Sequence, residues 1–592
     1  MNGREPFAYV VSVEGPMVTL NLKDAHRGHY ASHRDGVSAV TDIGGLFGVD
    51  GGTRILVMRV RSLSFAEPKD AHAAGVGSTS LRRDPLRNVV AVVAGTISRR
   101  NGTLRFTPDS LVSPTLGAEA YPLSQDELAC VLRITSSDGP TVTLGAESRS
   151  GASLTVDLST LLGRHVAVMG GTGQGKSCFT AAVLQQLLRL PGPRIVVFDI
   201  NGEYGDALGP HAGEPGQCLR TTLGGAGTSG FKIPYFALGR HGLSRLLLPS
   251  EKTQRPALAF ALENLRFVKW YAAERAAGLA QNSSPELFDD CRPGDATSSW
   301  NAIDALRRGT AAAAPRWTHM SALASLVAES HSLKKSMRGT TTVCERDGFL
   351  YSNIAALVTR IRRCVEDPLF TSVVDVSGGV GIGSTLDWQS EGSSLVERVF
   401  GGPHTTWKLH IVDLRHVAHD LMPLVLGSLL ELFSFELFHR GQTGTYPTLL
   451  VLEEAHHYLR QFAEHEDGVR QGLAYERLAK EGRKFGLGLW VSTQRPAEVS
   501  ATVLAQCGTW VVFRLTSEAD LGAVSAAGEW VDRQELSRIA GLPRRQALVF
   551  GTSVALPVRV EAPEAIPVPR STDPDFRRWL RVDNSAKSAP PK

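Results

Sequence analysis

Cysteine is scarce in this sequence and forms no metal-binding pattern. Seven cysteines are scattered over 592 residues, with no Cys-x-x-Cys pair and no Cys/His spacing that suits zinc. Small secreted domains are usually rich in disulfides, and structural zinc sites usually take their ligands in closely spaced pairs. The sequence therefore excludes both a disulfide scaffold and a structural zinc module, and it fits a reducing compartment.

A long uncharged apolar run and a strong surplus of one charge are also missing. The most apolar stretch, residues 421–438, carries Glu431 and Glu436, and the N-terminus lacks the apolar segment of a signal peptide. Lys and Arg number 63 and Asp and Glu number 59, so the net charge is only +4. Any nucleic-acid surface must therefore be local. We expect a cytoplasmic protein without a membrane partner.

The overall composition is that of a folded, multidomain protein. Apolar residues make up 42% of the chain and charged residues 21%, which excludes wholesale disorder, collagen and coiled-coil classes. A chain of 592 residues exceeds what one hydrophobic core usually supports. We therefore expect at least two domains.

The domain organisation follows from a change in the hydrophobic pattern. The first part contains short β-branched runs broken by Gly, Asp and Asn, which predicts a small antiparallel barrel or sandwich. The later part alternates apolar strands with helical patterns, which predicts an α/β core with a mostly parallel sheet. The predicted segments are an all-β barrel at 1–161 with an exposed loop at 65–87, the core at 162–240 and 367–562, a helical insertion at 241–366, and a C-terminal extension at 563–592 whose end is disordered.

Individual elements of the core and the insertion can also be predicted from the pattern. Short apolar runs bounded by Gly, Pro or charged residues are the candidate core strands: 165–169, 194–200, 408–414, 448–452, 487–493, 510–515 and 547–550. Apolar residues at helical spacing predict the helices of the insertion: 255–280, 300–308, 318–338 and 351–365.

A glycine-rich motif directly follows the first core strand. It fits G-x-x-x-x-G-K-[ST] and opens a helical run, which is the context that a phosphate-binding loop needs. Its backbone N–H groups would surround the phosphates of ATP, Lys176 would bridge the β- and γ-phosphates, and the Ser177 hydroxyl would bind Mg²⁺. The predicted nucleotide-binding residues are Gly170, Gly171, Thr172, Gly173, Gln174, Gly175, Lys176, Ser177 and Cys178.

Paired carboxylates end the apolar strand 448–452. In a P-loop enzyme the first acid orders a Mg²⁺-bound water and the second polarises the attacking water. We therefore assign Glu453 to the metal and Glu454 to the general base. Two acids at the start of a helix are the simpler alternative. Glu203, which follows another core strand, is a further candidate near the attacking water, although a turn built on Asn201 and Gly202 explains that segment almost as well.

Two more polar segments could complete the site. Gln494 follows strand 487–493 and would contact the γ-phosphate if that strand lies beside 448–452; the alternative is a solvated turn. A basic helix end before the same strand contains Arg477 and Arg483. Its simpler interpretation is that the cations cap a helix, and its functional interpretation is an arginine finger that stabilises the transition state.

Five motifs in combination resemble the HerA branch of the HerA/FtsK ATPases. They occur in the family's order and spacing at 170–177, 201–204, 453–456, 481–486 and 493–496. The β-rich start and the helical insertion resemble that family in character. The resemblance implies a RecA-like P-loop core, a homohexameric ring, double-stranded DNA in the central channel, and ATP bound between subunits.

The resemblance also implies a role for each motif residue. Lys176 and Ser177 correspond to the Walker A pair, and Glu453 and Glu454 to the Walker B pair, with Glu453 where Asp is usual. Gln494 corresponds to the sensor. The arginine supplied by the neighbouring subunit is then Arg483, with Arg477 as the second choice.

Members of this family act with a partner chain. The partner is the NurA nuclease in DNA end resection, or a nuclease or a sirtuin-like NAD-hydrolysing subunit in bacterial antiphage systems. This sequence has neither a nuclease carboxylate cluster nor a second glycine-rich nucleotide motif. The resemblance therefore implies an ATPase and DNA translocase or helicase whose effector is a separate protein. An ATP-stabilised scaffold and a secretion or conjugation motor are the alternatives.

The N-terminal barrel is the expected docking surface for such an effector. The α/β core is already committed to nucleotide, neighbouring subunits and DNA. Apolar residues among charges, around Leu46, Phe47 and Ile55, could form the apolar centre of that surface. Packing of the same residues inside the barrel is the alternative.

Overall fold

The structure of the chain is a computed structural model, and it describes most of the sequence. The described residues are 5–23, 30–33, 36–39, 42–65, 87–100, 103–108, 111–134, 139–225, 227, 229–265, 297–308, 317, 319–377, 388–444, 446–460, 474–528 and 533–570. The loop expected at 65–87 lies almost entirely outside these ranges, as do the expected end of the 255–280 helix and the last part of the C-terminal extension.

The N-terminal part is a closed antiparallel barrel. Its strands are β1 (Ala8–Glu14), β2 (Met17–Leu22), β5 (Leu46–Asp50), β6 (Arg54–Phe65), β7 (Arg87–Arg100), β8 (Thr103–Thr107) and β9 (Glu119–Tyr121), with β3 (Tyr30–His33) and β4 (Gly36–Ala39) as a separate hairpin. The sheet order is β2-β1-β9-β5-β6-β7-β8, and β2 also pairs with β7. This second pairing closes the sheet, so the barrel prediction is confirmed.

The barrel core contains the side chains that sequence analysis considered for docking. Phe47 is fully buried and packs edge to face on Phe7, with ring centroids 5.4 Å apart. Leu46 and Ile55 are partly buried and pack against a second small apolar cluster. Phe47 therefore cannot contribute to a docking surface, which corrects that part of the prediction, while docking at the partly exposed Leu46 and Ile55 stays a prediction. The strand alternation places Phe47 on the inner face, and the neighbouring side chains cover the barrel's junction with the core.

The second part is built on one long, mixed sheet. Its strands are β10 (Arg133–Ile134), β11 (Thr141–Glu147), β12 (Ser153–Asp157), β13 (His165–Met169), β14 (Ile195–Asp199), β15 (Cys218–Leu223), β16 (Gly230–Phe231), β21 (Leu409–Asp413), β22 (Thr448–Leu452), β23 (Leu487–Thr493), β24 (Cys507–Phe513), β25 (Gln546–Gly551) and β26 (Val558–Glu561). The order is β10-β12-β11-β26-β25-β24-β13-β23-β22-β14-β21-β15-β16. All strands from β24 to β16 in this order are parallel, as a RecA-like core requires.

The junction between barrel and core lies earlier than the sequence suggests. The barrel strands end at Tyr121, and β11 pairs antiparallel with β26 in the core sheet. Residues 133–161, which the pattern assigned to the barrel domain, therefore extend the core. An alternating strand pattern cannot reveal which sheet a strand joins, because that choice depends on a partner more than 400 residues away.

Helices cover both faces of the core sheet and form most of the insertion. They are α1 (Gln125–Leu132), α2 (Leu158–Leu162), α3 (Lys176–Leu188), α4 (Gly205–Leu208), α5 (Gly239–Leu247), α6 (Gln254–Asn264), α7 (Thr297–Arg307), α8 (Ser321–Ser332), α9 (Gly348–Glu366), α10 (Pro368–Val373), α11 (Trp388–Phe400), α12 (Met422–Arg440), α13 (Ala474–Glu481), α14 (Ala501–Leu504), α15 (Glu518–Ala527) and α16 (Arg533–Ile539). Short 3₁₀ turns occupy 209–211, 235–238, 455–457, 482–485 and 496–498.

The insertion also contains strands that the sequence pattern did not predict. The helix expected over 318–338 ends at Ser332, and β18 (Leu333–Arg338) then pairs with β19 (Thr341–Arg346) as a hairpin. Gly339 takes the left-handed conformation that the turn needs, with φ of 64°. Outside the insertion, a further short pair joins β17 (Ile233–Pro234) to β20 (Val374–Asp375). The β-branched residues of β19 favour the strand over a continued helix.

One helix of the core is unusually long and apolar. By length and composition alone, Met422–Arg440 could cross a membrane, and half of its apolar window is buried in the fold. Val425, Leu429 and Phe433 on this helix belong to the large apolar cluster on one face of the sheet. Phe179 and Leu184 of α3 belong to the cluster on the opposite face.

Candidate functional site

The glycine-rich loop connects β13 to α3 at the carboxyl edge of the parallel sheet. Gly175 is the N-cap of α3 and has φ of 114°, and Gly173 has φ of 70°. At Gly170 a Cβ atom would lie 2.5 Å from the Cβ of Phe513 on the neighbouring strand. The glycines are therefore required by backbone conformation and by close packing, and the loop leaves the N-terminus of α3 free to bind an anion.

Lys176 is the first residue of α3, and its side chain is buried. Its Nζ donates to the carbonyl oxygen of Gly171 at 3.4 Å and lies 4.0 Å from Oε1 of Glu454. A buried ammonium needs a counter-charge, and Glu454 supplies it. The structure thus brings together the predicted P-loop lysine and the predicted general base.

The carboxyl group of Glu453 is enclosed by hydroxyl groups. The side chain is buried, Tyr204 donates its hydroxyl to Oε1, and the Ser492 hydroxyl donates to Oε2 at 3.3 Å. Burial raises the pKa of Glu453 to about 7, although the bond from Tyr204 acts in the opposite direction. This carboxyl group therefore changes its protonation state near neutral pH.

Glu454 has a left-handed backbone and an ionised side chain. Its φ is 42° and its ψ 49°, a conformation that costs a residue with a side chain about 1–2 kcal/mol. His456 Nδ1 lies 3.3 Å from Oε2, and the Gln494 backbone N–H donates to the same oxygen at 3.3 Å. Burial would raise the pKa of Glu454, but the bond with His456 and the charge of Lys176 outweigh burial and hold the pKa below its usual value. The pKa values of the adjacent acids Glu453 and Glu454 are thus shifted in opposite directions.

Glu203 is positioned by a turn at the end of β14. Asp199 accepts hydrogen bonds from the backbone N–H groups of Glu203 and Tyr204, each at 3.0 Å. The Glu203 side chain is hydrogen-bonded to Ser177, and burial raises the pKa of Glu203 above its usual value. The turn interpretation and the functional one are therefore compatible, because the turn itself brings Glu203 to the P-loop.

Gln494 lies beside the glycine-rich loop, as its strand position suggested. Strand β23 pairs with β22 on one side and β13 on the other. The hydroxyl of Thr172 in the loop donates to Oε1 of Gln494. The carboxyl ends of these three neighbouring strands therefore bring Thr172, Glu454 and Gln494 into one cluster.

The two candidate arginine fingers lie away from this cluster. Arg483 is exposed in the turn before β23, at the amino edge of the sheet. Its charge lowers the pKa of His165, after the larger effect of burial, and His165 begins β13 whereas the P-loop follows its end. Arg477 is exposed, with Cζ 4.1 Å from the Phe438 ring and a bond to Glu481. Neither arginine reaches the P-loop of its own chain.

Sequence reasoning missed a pair of arginines that does contact the P-loop. Arg544 donates from Nε to the Gly173 carbonyl oxygen at 3.1 Å, and the Arg545 backbone N–H donates to the Gln174 carbonyl oxygen at 2.9 Å. Arg545 is left-handed, with φ of 66°. No local motif marks these residues, since they lie 371 positions from the loop that they contact. Tyr204 lies in the motif at 201–204, but no local pattern predicts its hydrogen bond to Glu453, which is 249 residues away.

The oxygen groups near Ser177 suit magnesium. Mg²⁺ in ATPases is held by a few hydroxyl or carboxylate oxygens together with phosphate oxygens and water. Ser177 contacts Glu203, and the charges of Lys176 and Glu203 both reach Glu453. Within the described ranges, no group of three or more His, Cys, Asp or Glu side chains could hold a metal. The oxygen donors near Ser177 fit Mg²⁺ bound together with a nucleotide.

Comparisons with known proteins agree with this geometry. A family described as "Helicase HerA, central domain" matches residues 142–305, the segment that contains the P-loop. The DNA double-strand break repair helicase HerA of Pyrococcus furiosus is 23% identical over 443 residues, which cover 70% of this chain and 67% of that protein. The protein of the same name from Saccharolobus solfataricus is 27% identical over 202 residues, 33% of this chain and 39% of that protein.

A solved structure can also be aligned with the fold. VirB4 of Thermoanaerobacter pseudethanolicus gives a TM-score of 0.45 at 14% identity, over 72% of this chain and 98% of that one. Two observations indicate the family: the sequence matches, and the positions of the motifs at the ends of neighbouring strands. The P-loop follows β13, the paired acids follow β22 and Gln494 follows β23, all at one edge of a parallel sheet. The family match over residues 142–305 and these relatives support membership of this chain in the HerA family of P-loop ATPases.

Proposed function

We propose that this chain is an ATPase that works as a homohexameric translocase or helicase on double-stranded DNA. The observation that carries the proposal is the separation of the ATPase residues between the two edges of the sheet. Lys176, Glu454 and Gln494 surround the P-loop, whereas Arg483 lies at the opposite edge. A ring of head-to-tail subunits would bring the amino edge of one chain to the carboxyl edge of the next. The neighbour's Arg483 then completes each site.

ATP is the substrate that this cluster suits. The N–H groups of the loop and the N-terminus of α3 bind its phosphates. Lys176 exchanges its contact with Glu454 for the β- and γ-phosphates, which carry more negative charge than one carboxylate. This exchange leaves Glu454 as an ionised acceptor for the proton of the attacking water. Gln494, bonded to Thr172, contacts the γ-phosphate from the other side of the cluster.

Ser177 and, through water, Glu453 would hold Mg²⁺, which neutralises charge on the phosphates. Both hydroxyl groups that surround Glu453 donate to its carboxyl oxygens. Donors of this kind favour the ionised form of the acid. Tyr204 and Ser492 are therefore positioning residues that oppose the effect of burial on Glu453.

DNA is proposed as the moving substrate because of the matched relatives. The Pyrococcus furiosus and Saccharolobus solfataricus proteins are both named DNA double-strand break repair helicase. The first match extends over 70% of this chain and 67% of that protein. The effector is proposed to be a separate nuclease or sirtuin-like NAD-hydrolysing protein, in antiphage defence or in DNA end processing.

The N-terminal barrel is the proposed docking surface for that effector. Its inner residues are committed to the barrel core, so the surface must come from outward side chains. Tyr9, Val11, Met17 and Leu63 are apolar barrel residues that remain 36–38% exposed. Three of them lie on the paired strands β1 and β2, so they share one region of the barrel wall. Apolar residues grouped in this way are typical of protein interfaces.

The test of this function is the ATPase rate of the full-length protein with and without linear double-stranded DNA. We expect hydrolysis that duplex DNA stimulates severalfold, and we expect Lys176→Ala to reduce it to background because the cation for the phosphates is lost. Hydrolysis without any effect of DNA would favour an ATP-stabilised scaffold. Undiminished hydrolysis in Lys176→Ala would contradict the assignment of the active site.

A further inference from the structure

A cleft lies between the barrel and the core, and no P-loop residue lines it. Its volume is about 290 Å³, near the lower end of the range for small-molecule sites. One wall comes from the barrel turn 43–46 and from β6. The other comes from the turn after β11, from α16 and from β26. The cleft is therefore formed only when the two domains meet.

Four arginines from four different elements line this cleft. Arg59 comes from β6, Arg149 from the turn after β11, Arg538 from α16 and Arg559 from β26. The lining residues include two carboxylates, from Glu147 and Glu535. Four guanidinium groups and two carboxylates leave the lining with a formal charge of +2.

The two carboxylates are already engaged. Glu535 forms an ion pair with Arg59 across the domain junction. Glu147 accepts from the backbone N–H groups of Arg149 and Ser150, at 3.1 and 2.7 Å, and from the Ser150 hydroxyl at 2.7 Å. Glu147 therefore fixes the conformation of its own turn through Oε2.

Each guanidinium group has five N–H donors, and the hydrogen bonds described here use only some of them. Arg149 and Arg538 both donate to one acceptor, the Ile43 carbonyl oxygen, at 2.6 and 3.4 Å. Arg559 donates from Nε to Gln546 at 2.7 Å. Within the part of the chain that the structure describes, Nε of Arg59 is buried without a hydrogen-bond partner.

The positive charges of the arginines that line the cleft also repel one another. Burial lowers the pKa of Arg59; the charge and hydrogen bond of Glu535 oppose that effect, and the charges of Arg149 and Arg538 lower the pKa further. Burial likewise lowers the pKa of Arg559, where Arg149 adds to the effect and Glu147 opposes it. Like charges gathered around a shared space in this way favour an anion between them.

Much of the remaining lining is apolar, beside the polar side chains of Gln125 and Ser150. Side chains from the barrel, the core and the connecting helix contribute Leu46, Leu123, Leu128, Leu542, Leu548 and Val558. A bare inorganic ion would leave this surface in contact with water. A ligand with a charged end and an apolar or aromatic body would use both parts of the lining.

We propose that this cleft binds a small phosphate-bearing molecule of the nucleoside monophosphate class, separately from the P-loop. A phosphate monoester carries a charge of about −1.5 to −2 near pH 7, which matches the charge of the lining. Guanidinium groups bind phosphate oxygens through paired hydrogen bonds, and Arg149, Arg538 and Arg559 converge on the cleft from three directions. The apolar side chains then contact the base or sugar.

The test is calorimetric titration of the full-length protein with AMP and, separately, with inorganic phosphate. The protein carries Lys176→Ala so that the P-loop contributes as little binding as the chain allows. Arg559→Gln and Arg149→Gln are added one at a time, because a hydrogen bond to a charged group is worth a factor of about ten or more in affinity. Arg240→Gln is the matched control, since Arg240 is exposed on α5 and pairs with Glu263.

We expect AMP to bind, with affinity at least tenfold weaker in each cleft variant and unchanged in Arg240→Gln. Phosphate binding as tight as AMP binding would show that the arginines act alone and that the apolar wall is not used. Binding that neither cleft substitution weakens, or no binding at millimolar AMP and phosphate, would overturn the proposal. In that case the cleft would more simply receive acidic side chains of a neighbouring protein. Arg559→Gln decides the matter if Arg149→Gln lowers the melting temperature, because Arg149 also binds the barrel turn through the Ile43 carbonyl oxygen whereas Arg559 donates from Nε to Gln546.

Discussion

The two edges of the parallel sheet carry different parts of the proposed active site. The carboxyl edge gathers the P-loop, Lys176, Glu203, Glu454 and Gln494. The amino edge presents Arg483 in an exposed turn. Seven residues of β23 separate this turn from Gln494, a length of roughly 20 Å. The difference indicates that one chain holds a nucleotide but cannot bring its own arginine to the phosphates.

The carboxyl edge contains a second, smaller contrast between adjacent acids. Glu453 is buried under two hydroxyl groups with its pKa raised to about 7, whereas Glu454 is held ionised by His456 and Lys176. The left-handed backbone at Glu454 turns the two side chains into different surroundings. Backbone strain of this kind is typical of functional sites. The two acids can therefore take different roles although they are neighbours in sequence.

The largest expected effect concerns the amino edge. Arg483→Ala should lower ATP turnover by about a thousandfold, the order of magnitude that an arginine finger contributes. ATP affinity and the hexamer should be retained, because Arg483 is far from the P-loop of its own chain. Steady-state kinetics with nucleotide binding and light scattering measure all three. Arg477→Ala is the control, and an effect larger than that of Arg483→Ala would exchange their roles.

The next effect separates the two acids. Glu454→Gln keeps the shape of the side chain but cannot accept a proton, so turnover should fall by about a hundredfold or more while ATP still binds. Single-turnover hydrolysis compared with ATP binding measures this. Wild-type turnover in Glu454→Gln would leave Glu453 or Glu203 as the general base.

A smaller effect tests the environment of Glu453. Tyr204→Phe removes the hydroxyl that lowers the pKa of Glu453, so this pKa should rise above about 7. If the ionised acid is the active form, the acid limb of the rate profile moves to higher pH and activity returns as pH is raised. Tyr458→Phe is the matched control, because Tyr458 is equally buried but donates to the backbone oxygen of Glu453. An unshifted profile in Tyr204→Phe would contradict the positioning role.

The smallest effect concerns the newly found contact with the P-loop. Arg544→Gln removes a bond to the Gly173 carbonyl oxygen and should weaken ATP affinity severalfold, since the loop loses one of its supports. Equilibrium binding of a fluorescent ATP analogue measures the change. Arg545→Gly is informative beside it, because Gly accepts the left-handed backbone and should leave affinity almost unchanged.

The sequence predicted the core of this site well because its signals are local. Strands β13, β22 and β23 begin and end where the apolar runs do, and the polar residues at their ends form one cluster. An apolar run bounded by polar residues is sufficient to mark a buried parallel strand. The fold of the core and the position of Gln494 could therefore be predicted without a structure.

Contacts between distant segments could not be predicted in this way. The bond from Tyr204 to Glu453 spans 249 residues, and the contact of Arg544 with the P-loop spans 371. The strand β11 joins the core sheet through β26, which moves the domain junction away from residue 161. These pairings depend on how whole elements pack, and no periodicity within one segment records them.

Mixing two inactive proteins, Lys176→Ala and Arg483→Ala, tests most directly whether each ATPase site is shared between subunits. If Arg483 acts on the neighbouring subunit, about a quarter of the interfaces in an equal mixture join an intact P-loop to an intact arginine. The double variant mixed equally with wild type contains the same fraction of intact interfaces and calibrates the assay. We predict that ATPase activity reappears in the mixture of the two single variants, at a level close to that calibration. Activity that stays at the sum of the two separate proteins, while the calibration mixture is active, would contradict a site shared between subunits.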